Sequence, residues 1–360
     1  MNLTNISNII LDFIKLSIKR KLFVIDTFTK YKKSVIIKNK YTYAFIDLQT
    51  TRSNFDIIPY LAYLKTLEIV NKKKINIVIL PDNDPKHVKL SYHKENYQDD
   101  FFMKLRHNNI TLKSLKLIEN FEPNIFIMSN RQEAEEIYSL PKNKKTPKNI
   151  SRYGSVQPEN YYKELIKIYN KKKIVAKVVA QESYIELVKQ YLKKKKIENR
   201  KIITITLRNS SYRKFRNANT SAWQKVYNYF SKKGYYLIII NDFEDSCFDI
   251  NPNKKLNTYN YANLDIDTRL ALYELAYLNI STGLGSGLLL QFSKYCKFID
   301  FCIYTQESAK MTKQLAGYDI SKSEQFPWYN KFQKFIGVKN HNAKNIIKEI
   351  NLFIQKINKK

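Results

Sequence analysis

Short apolar runs of strand length recur along the chain, separated by longer stretches in which apolar residues return every three or four positions. The runs YAFIDLQ (43–49), INIVIL (75–80) and PNIFIMS (123–129) read as strands in the first half, YAFIDLQ as a buried one. KIITITL (201–207), YYLIII (235–240), LNIS and KFIDFCI do the same in the second. Between them, helical periodicity predicts helices from about Phe55 to Val70, at 160–170 and 182–194, after Thr220, over DIDTRLALYELA, and over GSGLLLQFSKYC. NRQEAEEIYSL reads as a polar helix, and PKNKKTPKNISRYGSVQPEN as a long loop. The chain closes on NAKNIIKEINLFIQKINKK, an amphipathic helix with Ile346, Ile350, Phe353 and Ile357 on one face. Strands alternating with helices of this length argue for α/β architecture with parallel sheets. Thr220 or Ser221 is the expected N-cap of the helix carrying Trp223, Val226, Tyr227 and Phe230, and Gly234 its stop.

At 360 residues the chain is long enough for two ordinary domains. The Lys-rich stretch KKKKIENRK reads as the linker between them. The net charge of +31 points to an anionic partner, whether nucleic acid, an anionic membrane face or a phosphorylated substrate. That inference is weakened by the makeup of the charge, because Lys outnumbers Arg 53 to 10 in a chain rich in Ile, Asn and Tyr as well. All four are residues of A/T-rich codons, so a biased genome accounts for much of the Lys excess. Arg, Gly and Trp run against that bias and are the more informative for it. Four Arg, four Gly and Trp223 fall between residues 208 and 287.

Cys247, Cys296 and Cys302 form neither a metal knuckle nor a disulfide framework, and the four His make no ligand spacing. No run of 18 apolar residues is present to cross a membrane. The start of the chain lacks the features of a signal peptide. It reads as an amphipathic helix with Ile9, Ile10, Phe13, Ile14 and Ile18 on one side and Lys15, Lys19 and Arg20 near its end. Such a helix either docks on the protein or lies on an anionic membrane surface.

In parallel sheets ligands sit at the carboxyl ends of the strands. Three strand ends of the second half carry suitable groups. LRNSSYRKFRN brings Arg208, Arg213, Arg216 and Asn217, and planar guanidinium groups suit phosphate or carboxylate. IIIND ends at Asp242, placed to touch a ribose, a base or one of those arginines. STGLGSG (281–287) concentrates three of the seven glycines between a strand and a helix, where backbone N–H groups face an anion. Ser281, Thr282 and Ser286 add hydroxyls. Close helix–sheet packing explains the glycines equally well. The Walker pattern fails here for want of a following Lys-Ser/Thr, and the GxGxxG dinucleotide pattern fails because Leu288 stands at its third glycine. Asp300, 17 positions after Gly283, keeps an NAD(P)-dependent α/β enzyme open as an alternative, and the basic surface keeps a nucleic-acid-binding protein open as another.

Taken together, the strand ending in Arg208, the following RN, the Trp-containing helix, KKGYYLIIIND, the Asp265-x-x-x-x-Leu270 helix and the late STGLGSG resemble the donor-binding half of GT-B glycosyltransferases of bacterial surface-polysaccharide biosynthesis. The likeness spans about residues 200–302. It implies an α/β fold of two Rossmann-like domains facing across a cleft. Residues 1–195 are then an N-terminal acceptor-side domain, and 196–340 a C-terminal nucleotide-sugar-binding domain. Residues 341–360 form a helix packing back toward the first domain. The implied activity is transfer of a sugar from a nucleotide-diphosphate donor to a glycan or lipid-linked acceptor, without an obligatory metal, in the cytoplasm or at the inner membrane face. Arg208, Arg213 and Arg216 would neutralise the diphosphate, Asn217 would stand beside them, and Ser281, Thr282, Gly283, Gly285 and Ser286 would cradle it. Asp242 would hold the nucleoside. On the acceptor side DLQTTRSN replaces the Gly-rich loop common in such enzymes. Asp47 is the candidate base or, equally, a helix cap, and Arg52 would meet an anionic acceptor or the donor phosphate. The residues leave the sugar, the acceptor and the stereochemical outcome open.

Overall fold

A computed structural model of the chain describes residues 41–48, 55–81, 105–146, 161–209, 214–241, 257–283, 285 and 287–359. The expected N-terminal helix lies outside the described residues. The chain divides into two compact units, one taking in Met1–Thr51, Lys73–Val88 and Pro123–Val156, the other Arg52–Lys72, Lys89–Glu122 and Gln157–Lys360.

The first unit holds a four-stranded sheet of β1 (Thr42–Asp47), β2 (Ile75–Leu80), β3 (Asn124–Ile127) and β4 (Lys145–Thr146). All pairings are parallel and the order is β3-β2-β1-β4. β2 is buried along its whole length, which is why its sequence is apolar save for Asn76 and does not alternate. β4, two residues inside the expected loop, escapes sequence reading because Lys145 and Thr146 have no apolar signature.

The second unit holds a five-stranded parallel sheet of β5 (Ile202–Thr206), β6 (Tyr236–Ile240), β7 (Leu278–Ser281), β8 (Phe298–Ile303) and β9 (Gln333–Val338), in the order β6-β5-β7-β8-β9. Its helices are α1 (Ile57–Asn71), α2 (Tyr161–Lys172), α3 (Glu182–Lys194), α4 (Thr220–Lys232), α5 (Asn260–Leu264), α6 (Ile266–Leu275), α7 (Gly287–Phe292), α8 (Gln306–Ala316) and α9 (Ala343–Asn358). Trp223, Val226 and Phe230 of α4 meet Ile346, Ile350, Phe353, Ile354 and Ile357 of α9 in one buried cluster with Ile203, Ile205, Leu278, Ile280 and Ile299 of the sheet. The apolar stripe of the closing helix is therefore buried in this core.

Three details differ from the sequence reading. Asn219 is the N-cap of α4 in place of Thr220 or Ser221, its side chain accepting from the Ala222 N–H at 3.0 Å while its backbone is still extended. α7 ends at Phe292, short of Cys296, because the Ser293 hydroxyl accepts from the N–H groups of Tyr295 and Cys296 and turns the chain. β9 was not expected, since QKFIGV is an edge strand with polar and half-buried positions.

Candidate functional site

In the second sheet the strand order reverses between β5 and β7: β6 follows on one side of β5, and β7 and β8 lie on the other. Such a switch point opens a crevice at the carboxyl ends of the two central strands. Thr206 and Ser281 are register partners there, so the chain leaves the sheet side by side at Leu207–Arg208 and at Thr282–Gly283. The two exits are tied together. The Arg208 N–H donates to Thr282 Oγ1 at 2.9 Å, and the same hydroxyl donates to the Thr206 carbonyl at 3.2 Å. The turn Lys214–Arg216 returns the loop to its strand, with the Asn217 N–H bonded to the Lys214 carbonyl and the Ala218 N–H to that of Arg208. From this turn Arg216 Nη2 donates to the Gly283 carbonyl at 2.7 Å. Arg208 and Arg216 both act on the Cys302 thiol beneath, lowering its pKa against the burial that pushes it up to about 11. The Arg216 guanidinium thus stands at the switch point.

The glycine motif is braced from below by Asp300 of β8. Its Oδ1 accepts from the Ser281 hydroxyl at 2.5 Å and from the Gly283 N–H at 2.7 Å. Burial raises the Asp300 pKa, opposed by these bonds, by Gln291 and by the charge of Arg216. Ser281, Thr282 and Gly283 are all buried, and their hydroxyls together with the Gly283 N–H and carbonyl are spent on Asp300, on the β5 exit and on Arg216. Gly283 has φ +67°, and a Cβ there would stand 2.7 Å from Cys302 Sγ, so the position admits glycine for both backbone and packing reasons. Gly285 lies against Phe55 and its carbonyl accepts from the Leu288 N–H at the start of α7. Arg52, Arg213, Asp242 and Ser286 lie outside the described residues.

In the first unit Asp47 ends β1 and forms an ion pair with Arg131, both side chains inaccessible to solvent. Its carboxylate faces a guanidinium within the fold. Among the described residues no group of three or more His, Cys, Asp or Glu is placed to hold a metal ion, and no helix is long and apolar enough to cross a membrane.

No family model matches the sequence, and no curated protein matches it. Solved structures do. The family 9 glycosyl transferase from Veillonella parvula superposes with a TM-score of 0.52 at 10% identity, over 89% of this chain and 98% of its own. The ADP-heptose lps heptosyltransferase II of E. coli superposes with a TM-score of 0.50 at 8% identity, over 88% and 99%. The fold is GT-B-like. Likeness at this level of identity is a likeness of fold, with a Rossmann-like parallel sheet in each unit.

Within this GT-B-like frame, several residues matter that sequence reading passed over or placed elsewhere. Asp300, the acid that keeps an NAD(P)-dependent enzyme open in the sequence, is a brace of the glycine loop; an acid inside the apolar run FIDFCI was the available signal. Arg131 carried no signal, because its partner Asp47 is 84 positions away. Arg269, fourth of the informative arginines, is buried and caps α5, donating to the carbonyls of Ala262 at 2.6 Å and Asn263 at 2.9 Å. Trp223 belongs to the core, edge-on to Phe301 and His341.

Proposed function

We propose that the chain is a glycosyltransferase that moves a sugar from a nucleotide-diphosphate donor to a glycan or lipid-linked acceptor in surface-polysaccharide assembly. The observation that carries this reading is the switch point of the second sheet, where the Arg208 backbone is bonded to Thr282 and the Arg216 guanidinium to the Gly283 carbonyl. The reaction breaks the bond between the anomeric carbon and the diphosphate, so negative charge grows on the departing nucleoside diphosphate. Preorganised guanidinium groups aimed at that charge lower the barrier and do the electrostatic work a metal does elsewhere. Arg208 and Arg216 take this role, joined by Arg213, with Asn217, Thr282, Gly285 and Ser286 around the phosphates and Asp242 at the nucleoside. Gly283 contributes shape, since its N–H is spent on Asp300 and its carbonyl on Arg216, and Ser281 acts through Asp300. On the acceptor side Arg52 binds, and Asp47 serves as base if its pair with Arg131 opens. The basic N-terminal segment around residues 9–20, an amphipathic helix by its sequence pattern, supplies peripheral contact with the inner membrane face in the cytoplasm.

The test is a thermal-shift panel of UDP-, GDP-, CMP- and ADP-sugars set beside NAD(P) and oligonucleotides. A ligand present at a hundred times its Kd adds about 2.7 kcal/mol to stability. Stabilisation by one nucleotide-sugar class is the expected result, and it should vanish in Arg208→Ala and Arg216→Ala while both variants stay folded. Stabilisation by NAD(P) alone, or by oligonucleotides alone, would sink the reading.

A further inference from the structure

Asp300 stands in the middle of β8 between Ile299 and Phe301, and all three are buried. An ionised carboxylate in such a place has lost its water and needs donors in exchange. It finds them at one spot. Ser281 Oγ at 2.5 Å and the Gly283 N–H at 2.7 Å both reach Oδ1, and Gln291 Nε2 lies 3.5 Å from Oδ2. Two of these donors flank Thr282, whose hydroxyl joins the β5 exit at Arg208 and Thr206. One of them, Gly283, is also the residue whose carbonyl holds Arg216. The three-residue stretch 281–283 is therefore gripped by Asp300 from beneath and by the arginine loop from the other side. Gly287 keeps this grip clear: a Cβ there would come within 3.0 Å of Ser281 Oγ and 3.4 Å of Asp300 Oδ2.

We propose that Asp300 is a positioning residue for the diphosphate site, setting stretch 281–283 through Ser281 and Gly283 and so placing the Arg216 guanidinium. This rests on the glycosyltransferase reading. Without the carboxylate, a buried N–H and a buried hydroxyl have no acceptor, and leaving such groups unsatisfied is what native structures avoid. The stretch then shifts to find partners, and the carbonyl that anchors Arg216 shifts with it. Loss of phosphate recognition follows at a residue that does not touch the donor.

The experiment compares wild type, Asp300→Ala and Ser281→Ala in two measurements at a temperature where each is folded by circular dichroism. One is amide hydrogen exchange at Gly283. The other is calorimetric binding of UDP, GDP, ADP and CDP against the matching monophosphates, because a general loss of packing does not single out the second phosphate. For Asp300→Ala, Gly283 exchange should speed up at least tenfold and the preference for diphosphate over monophosphate should fall at least tenfold. Ser281→Ala should move both readouts the same way by a smaller factor, and it decides alone if Asp300→Ala does not fold. If wild type prefers diphosphates and the folded variants keep that preference within twofold, the positioning role is wrong and the glycosyltransferase reading stands. If wild type binds none of these nucleotides, both fall together.

Discussion

Asp47 and Arg131 bury a complete ion pair at the end of β1. Removing one member leaves the other charge in a place without water, which typically costs about 3–5 kcal/mol. Asp47→Ala and Arg131→Ala should each lose about that much in urea denaturation, whereas an apolar pair such as Asp47→Leu with Arg131→Met should recover most of it. A folded Asp47 variant of wild-type stability that no longer turns over would instead place Asp47 on the acceptor. Gly283 is the other residue with a sharp expectation. Its left-handed backbone and its distance of 2.9 Å from a would-be Cβ to Cys302 Cα leave no room for a methyl group. Gly283→Ala should cost about 2–4 kcal/mol from backbone strain and overpacking together, read as a lowered denaturation midpoint. The glycine was visible in the sequence; its reason was not, because Cys302 is a strand away.

At the scale of elements, legibility followed apolar runs, since β3 was readable although half-exposed and β4 was not although buried. β2, β5, β6 and α9 were readable because a fully buried parallel strand is a continuous apolar run and a packed surface helix carries a stripe. β4 and β9 were not, since neither depends on apolar side chains facing both ways. Caps fell between the two cases. The sequence ANTSAW offers three candidate caps in a row, and only backbone geometry selects Asn219. Asn219→Ala should therefore cost about 0.5–2 kcal/mol in thermal unfolding, and Ser221→Ala close to nothing.

For the molecule as a whole, pH acts through buried carboxylates. Burial raises Glu274 to about 7, and burial with the charge of Asp265 raises Asp267 to about 6. Unfolded, both titrate near 4, so between about pH 4 and 7 the native state holds more protons than the unfolded one. Their contribution is present below that window and is lost as pH rises through it. His341, lowered by burial, works in the opposite sense and weakens the fold as the pH drops below its ordinary range. Glu274→Gln keeps an acceptor for the Ala180 N–H and removes the buried charge. It should raise Tm at pH 8 and leave it nearly unchanged at pH 4. The net charge of +31 belongs to this scale as well. If the basic N-terminal segment meets membranes, Lys15→Glu, Lys19→Glu and Arg20→Glu together should abolish co-sedimentation with anionic vesicles, and added salt should do so in wild type.

Period and composition alone determined the α/β class, the strands buried on both faces and the places where arginine and glycine collect. These properties are local, since a run of apolar residues reports its own burial and a strand end reports its own loop. Tertiary structure alone decided which polar groups are spent and on what. Asp47, a base or a helix cap by sequence, is paired with Arg131; Asp300, which by sequence keeps a dinucleotide enzyme open, braces a loop; Arg269, grouped with Arg208 by composition, caps a helix. A polar side chain acts through its partner, and these partners lie at sequence separations of 84, 17 and 7, on strands and turns that only the fold brings within hydrogen-bond reach.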